Sequence, residues 1–209
     1  EKGLMPWDGH VEGYKNVLNL AEWCLARKIP EVTVWAFSTE NWKRSADEVG
    51  FLMNLIKKVL NEDAHLLKEK NVQLKIIGSK NGLSDDLIKT IEALPQIDLS
   101  NVQMTLNVAF NYGGRSEIID AVKNMLTSDF DSQKLDVESF TKFMYEPNIR
   151  PLDFIIRTSG EQRLSGFMLW HSDYAELYFS SKMWPDFTEV DLDEALKSYY
   201  ARQRRFGGQ

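Results

Sequence analysis

DFIIRTSGEQRLSGFMLWHSDYAELYF, Asp153 to Phe179, is the stretch from which the rest of the chain can be read. It opens on Phe154-Ile155-Ile156, an apolar run suited by length and composition to a buried strand. Polar residues follow at once: Arg157, Thr158, Ser159, Gly160, Glu161, Gln162 and Arg163, with Ser165 just beyond. A planar guanidinium matches phosphate oxygens two at a time. Ligands of open α/β sheets sit beyond the carboxyl ends of strands. Arginines, hydroxyls and pliable backbone at a strand end therefore suit an oxyanion, above all a phosphate. A surface loop whose arginines pair with Glu161 and other acids would carry the same residue types, so the stretch alone leaves both readings open. Its last part, Glu176-Leu177-Tyr178-Phe179, reads as a further strand.

Upstream, the same alternation of helix and strand repeats. Gly9 to Gly13 spells G-H-x-x-G and is expected to form a turn framed by His10 and Gly13. Val17, Leu18, Leu20, Ala21, Cys24 and Leu25 recur at helical spacing through Arg27, and Pro30 cannot continue that helix. Glu31 to Phe37 is β-branched and aromatic and reads as a buried strand. Asp47 to Lys70 carries an apolar stripe that includes Leu52, Leu55, Ile56 and Val59, suited to a core-facing helix or to the wall of an apolar cavity. Val72 to Gly78 is a strand, Ser84 caps a short helix to Leu94, and Val102 to Phe110 is a strand. Helices are expected over 116–126, 137–145 and 189–200. The βαβα order predicts an α/β fold, a mostly parallel sheet with helices around it, in a single domain over residues 1–209.

Three strand ends are alike in chemistry: Ser38 to Arg44, Asn111 to Arg115, and Arg157 to Ser165. In a parallel sheet, carboxyl ends share an edge, which would gather these groups. Other chemistries find no support. With only His10, His65, His171 and Cys24 there is no Cys/His metal cluster. G-x-S-x-G, G-x-x-x-x-G-K-[ST] and G-x-G-x-x-G are absent. What remains is a phosphate pocket with scattered carboxylates, among which Glu176 is a candidate ligand for phosphate-borne Mg²⁺. The formal net charge of −6 over 209 residues argues against a nucleic-acid binder, so any anion site is a local basic pocket. One cysteine excludes an internal disulfide and fits a reducing, cytoplasmic setting. No apolar run reaches the ~18 residues of a membrane span.

Taken together, GHVEG, FSTENWKR, LNVAFNYGGR, IIRTSGEQRLSGFMLW, YAELYF, WPDF and RQRRFGG resemble the blocks of the cis-prenyltransferase family, undecaprenyl diphosphate synthase type, in the family's order from Gly9 to Gly208. The resemblance implies a six-stranded, mostly parallel sheet wrapped by helices, with an apolar tunnel, working as a homodimer. It implies successive condensation of isopentenyl diphosphate onto an allylic diphosphate such as farnesyl diphosphate, with Mg²⁺. It gives Arg157, Arg163 and Ser165 to isopentenyl diphosphate and Glu176 to the metal. Ser38, Asn41 and His10 would serve the condensation, with Trp42 and Arg44 completing the loop. Arg205 and Gly207 belong to an R-x-G motif expected to reach diphosphate across the dimer. Leu106 is the expected floor of the tunnel, and Leu52, Leu55, Ile56 and Val59 its wall. Contact with a membrane would be peripheral, at product release.

The chain departs from the family pattern at its start, where a strand and an Asp-Gly-Asn-x-Arg-Trp block are expected and Glu1 to His10 cannot supply them. The native chain is therefore expected to extend upstream, and the chain as numbered to bind Mg²⁺ poorly. Ser45 stands where proline is common, and Gly166 where asparagine is. A chain that had lost its active site would instead be a non-catalytic subunit of a heteromeric prenyltransferase, against which Arg157, Arg163, Ser165 and Glu176 argue.

Overall fold

The computed structural model describes residues 6–205, which fall into two compact units, Glu1–Gly113 and Gly114–Gln209. In the first, α1 (Pro6–Ala26) leads to β1 (Glu31–Ser38), a 3₁₀ turn (Thr39–Lys43) and α2 (Ala46–Glu69). Then come β2 (Val72–Ile77), α3 (Asp85–Glu92) and β3 (Met104–Tyr112). The three strands form a parallel sheet in the order β1-β3-β2. α2 packs on β2, α3 and α1.

β3 is the buried centre of this unit, because it is hydrogen-bonded on both sides. Leu106 lies on it between Val32 and Leu74 and is 1% exposed. On the opposite face Asn107 is fully buried and donates to Glu31 Oε1 at 2.9 Å. β1, expected to be a buried strand, is so only at Phe37; as an edge strand of this sheet it leaves its other residues half-buried or exposed. A bulge at Ala36 shifts its register, so that Phe37 pairs with Phe110 and packs against it, ring centroids 5.4 Å apart.

The helix boundaries follow from local chemistry. α1 stops in a left-handed turn at Lys28 (φ 56°): Ile29 N–H bonds Cys24 O and Lys28 N–H bonds Leu25 O, satisfying the last carbonyls before Pro30. The G-H-x-x-G segment lies inside α1 rather than in a turn. Ser45 and Ser84 cap α2 and α3 by accepting from Glu48 N and Leu87 N. Ile56, Leu60, Ala64 and Leu67 form the buried stripe of α2, while Leu52, Leu55 and Val59 are half-buried.

The second unit contains α4 (Gly114–Leu126), the short α5 (Val137–Thr141), β4 (Phe154–Arg157), β5 (Glu176–Phe179) and α6 (Glu189–Tyr200). β4 and β5 form a two-stranded parallel sheet, with α6 against β5. α5 is shorter than the expected 137–145. Past Thr141 the chain tightens to i→i−3 bonds (Met144 N to Thr141 O), and Pro147 disfavours helix just before it. Of Phe154, Ile155 and Ile156 only Ile155 is fully buried, since β4 is paired on one side only within its sheet. The register sets Phe154 opposite Glu176 and Arg157 opposite Phe179, so Arg157 ends β4 while Glu176 begins β5.

Candidate active site

In the first unit the polar residues cluster after β1 and β3. The Asn41 side-chain oxygen accepts the Ser38 N–H at 2.9 Å, closing the 3₁₀ turn on itself. Trp42 sits edge-on to Phe37, centroids 5.3 Å apart, and its indole N–H donates to Asn111 Oδ1 at 2.7 Å. Arg44 donates to Glu48 Oε1 at 2.6 Å, and the same oxygen lies 3.1 Å from His10 Nε2. His10, from α1, and Arg44, from the loop, are thus gathered by one carboxylate at the start of α2. The hydrogen bond to His10, then the bond and charge of Arg44, hold the Glu48 carboxyl below its ordinary range.

Sequence reasoning missed Glu48, although its signal was present: Ser45-x-x-Glu48 is the capping signature of a helix start. It also passed over Asn111, read only as part of a polar strand end. A left-handed backbone at an asparagine (φ 50°) has no signature distinct from an ordinary turn.

In the second unit the loop after β4 carries Arg163 and Ser165. It contains five residues at positive φ within ten: Ser159 (72°), Gly160 (72°), Ser165 (51°), Gly166 (90°) and Met168 (46°). Non-glycine residues held there cost on the order of 1–3 kcal/mol each and concentrate at ligand clamps. The loop is held in place from outside. Ser159 N–H bonds Lys182 O at 2.6 Å, Gly160 N–H bonds Ser180 O at 2.8 Å, and Gly166 O accepts the Gly114 N–H at 2.8 Å. Lys182 is in turn fixed by Asp191, at 2.7 Å, whose carboxyl also caps α6 through Thr188. The Lys182 and Thr188 hydrogen bonds bring the Asp191 pKa down to about 2.

Arg157 is half-buried at the end of β4, and its guanidinium has no hydrogen-bond or ion-pair partner among the described residues. Arg163 is exposed and paired with Glu161. Glu176 stands about 10 Å from Arg157 along the strands, three residues at ~3.3 Å each. Its Oε2 accepts from Arg202 Nη1 at 2.5 Å, and Arg202 Nη2 donates to Leu177 O at 2.9 Å. Arg204 binds Asp153 at 2.5 Å beside it. Arg205 is exposed, and Gly207 lies outside the described residues.

No group of three or more His, Cys, Asp or Glu among the described residues could hold a metal. Glu176 fits as one carboxylate of a magnesium ion that takes its other ligands from phosphates and water, with Arg202 as the competitor for that oxygen.

The chain matches, over residues 1–207, the family model described as "Putative undecaprenyl diphosphate synthase". It is 43% identical to the isoprenyl transferase of Thermotoga maritima, over 100% of this chain and 90% of that protein. It is 41% identical to the tritrans,polycis-undecaprenyl-diphosphate synthase (geranylgeranyl-diphosphate specific) of Thermoplasma acidophilum, over 98% of this chain and 82% of that protein. Its fold matches lavandulyl diphosphate synthase from Lavandula x intermedia, solved with dimethylallyl diphosphate, with a TM-score of 0.87 and 32% identity over 99% of this chain and 91% of that one.

Proposed function

The chain belongs to the cis-prenyltransferase family of the undecaprenyl diphosphate synthase, or isoprenyl transferase, type, and we propose that it adds isopentenyl diphosphate units in succession to an allylic diphosphate, giving a cis-polyprenyl diphosphate. In each cycle the allylic carbon–oxygen bond breaks and pyrophosphate leaves. The isopentenyl double bond attacks the allylic carbon, and a proton lost from the new unit restores a double bond. Farnesyl diphosphate is the proposed primer and undecaprenyl diphosphate, a lipid-carrier precursor for cell-wall polysaccharide, the proposed product. The Thermoplasma relative's geranylgeranyl specificity makes the longer primer the one to test beside it.

The observation that carries the site is the half-buried Arg157, unpartnered among the described residues, at the head of a strained loop bearing Arg163 and Ser165. A guanidinium taken partly out of water without a counter-ion is a prepared anion site. These three residues hold the isopentenyl diphosphate. Ser38, Asn41 and His10 serve the condensation, and Trp42 and Arg44 complete their loop. Glu176 would be the carboxylate ligand of Mg²⁺, which would supply neutralising charge for the departing pyrophosphate. Leu52, Leu55, Ile56 and Val59 line the path of the growing chain and Leu106 closes it. The working form is a homodimer to which Arg205 and Gly207 contribute, in the cytoplasm and in peripheral contact with the membrane that receives the product.

Arg157→Ala tests the assignment. Losing a partly desolvated, charge-assisted contact costs about 2–4 kcal/mol, tens- to several-hundred-fold in kcat/KM for isopentenyl diphosphate. An unchanged kcat/KM in a folded variant would remove Arg157, and with it the proposed diphosphate pocket.

A further inference from the structure

Asn111 occupies a position that an ordinary strand end does not need. Its backbone is left-handed, so its side chain leaves the alternation of β3 and turns across the carboxyl edge of the sheet. Although 2% exposed, it has both side-chain N–H groups and its side-chain oxygen engaged. Nδ2 donates to Ser79 O at 2.7 Å and to Asn81 O at 2.9 Å, while Oδ1 accepts the Trp42 indole N–H at 2.7 Å. Its own carbonyl accepts the Ser79 N–H at 3.1 Å. One residue therefore fastens the end of β3 to the turn after β2 and to the loop after β1.

Few side chains can replace it. The position asks for an acceptor, two donor hydrogens and tolerance of positive φ, which asparagine combines and glycine, aspartate and alanine do not. The approach is so close that Gly78, at φ 148°, would place a Cβ 1.9 Å from Phe110 O. The fastening point in the loop matters as much. Trp42 lies between Asn41, tied to Ser38, and Arg44, tied to Glu48, so the indole is the middle anchor of the segment. Trp42 is 38% exposed, with Phe37 edge-on against its ring and its N–H bonded to Asn111.

We propose that Asn111 is a positioning residue that holds the Ser38–Arg44 segment in its working conformation through the Trp42 indole N–H. This rests on the proposed role of that segment in the condensation. The relevant contact is a single neutral hydrogen bond, so its removal should lower kcat by up to about tenfold. Because the two groups act as a unit, their losses should not multiply.

The test is a double-mutant cycle. Trp42→Phe removes only the N–H and keeps an aromatic ring on Phe37. Asn111→Gly removes the side chain and accepts the left-handed backbone. The expected result is a kcat lowered up to about tenfold by Trp42→Phe with a melting temperature lowered by no more than a few degrees, a loss at least as large for Asn111→Gly, and a double variant no worse than Asn111→Gly. Effects that multiply in the double variant would overturn the proposal. A second readout needs no turnover. Of the six indole N–H signals in a nitrogen-15 spectrum, the one lost in Trp42→Phe should be protected from deuterium exchange in the parent and exposed in Asn111→Gly. An unprotected Trp42 signal in the parent overturns the clamp whatever the activity. A protected signal in a parent that transfers no isopentenyl unit upholds the clamp and sinks the proposed function instead.

Discussion

Gly114→Ala should destabilise the protein, although local helix chemistry taken alone predicts the reverse. Gly114 is the first residue of α4, and alanine there would ordinarily gain up to ~1 kcal/mol over glycine. In the structure an added Cβ would lie 2.5 Å from Gly166 O and 2.8 Å from Leu169 Cγ, well inside ordinary contact. Either the first turn of α4 shifts or the loop retreats, and in both cases the 2.8 Å bond from Gly114 N–H to Gly166 O is stretched. Overpacking of this kind costs about 1–3 kcal/mol and the weakened hydrogen bond about 1 more. After the helix gain, the net loss is roughly 1–3 kcal/mol. Gly50 is the control: it lies exposed within α2, and a Cβ there meets nothing within 4 Å. Gly50→Ala should therefore stabilise by about 0.5–1 kcal/mol. Urea unfolding followed by circular dichroism reads both variants on one scale. Since the displaced Gly166 adjoins Ser165, Gly114→Ala should also raise the KM for isopentenyl diphosphate. A Gly114→Ala protein as stable as the parent, or more so, would refute the close approach of α4 and the loop on which this reasoning stands.

Burial pushes the His171 imidazole pKa down, and its Nε2, at 4% exposure, has no hydrogen-bond partner among the described residues. The unfolded chain then takes up a proton first, so stability should hold above about pH 6.5 and fall as pH drops through the lowered folded value. Titrating unfolding against pH should show that limb flattened in His171→Gln. Leu106→Ala, at a position 1% exposed, should cost about 2–5 kcal/mol and shift products to longer chains by chromatography; an unaltered product distribution would reduce Leu106 to core packing. Arg202→Ala frees Glu176 from an exposed ion pair worth about 0.2–1 kcal/mol, so Mn²⁺ titrated in the diphosphate complex and followed by spin resonance should bind about 1.4- to fivefold tighter. Unchanged or weaker binding would remove Glu176 from the metal site.

Elements whose signal is local were legible in the sequence. The strands at Glu31, Val72, Phe154 and Glu176 begin where β-branched and aromatic runs begin, and α6 has the expected bounds because Pro185 and Asp186 mark the turn before it. G-H-x-x-G was misread because two glycines suggest a turn, yet the surrounding apolar spacing carries α1 through them. Burial of β1 and β4 was overestimated because composition speaks to hydrophobicity and not to how many sides of a strand are paired. The candidate site was legible as residue types and not as partnerships. Trp42 meets Asn111 across 69 residues, His10 meets Glu48 across 38, and Glu176 meets Arg202 across 26. No local pattern encodes contacts of that separation. Nor does sequence alone distinguish an arginine left without a counter-ion among the described residues, as Arg157 is, from one that is paired, as Arg163 is.

Chain elongation from isopentenyl diphosphate can be read from the products themselves. The protein is incubated with labelled isopentenyl diphosphate, Mg²⁺ and, in separate reactions, farnesyl or geranylgeranyl diphosphate. The products are dephosphorylated, separated by chain length and examined for double-bond geometry. The expected product is a ladder of polyprenols whose added units are cis, formed only when both diphosphates are present and suppressed by Arg157→Ala. Label that stays in isopentenyl diphosphate with either primer, or added units that are trans, would contradict it.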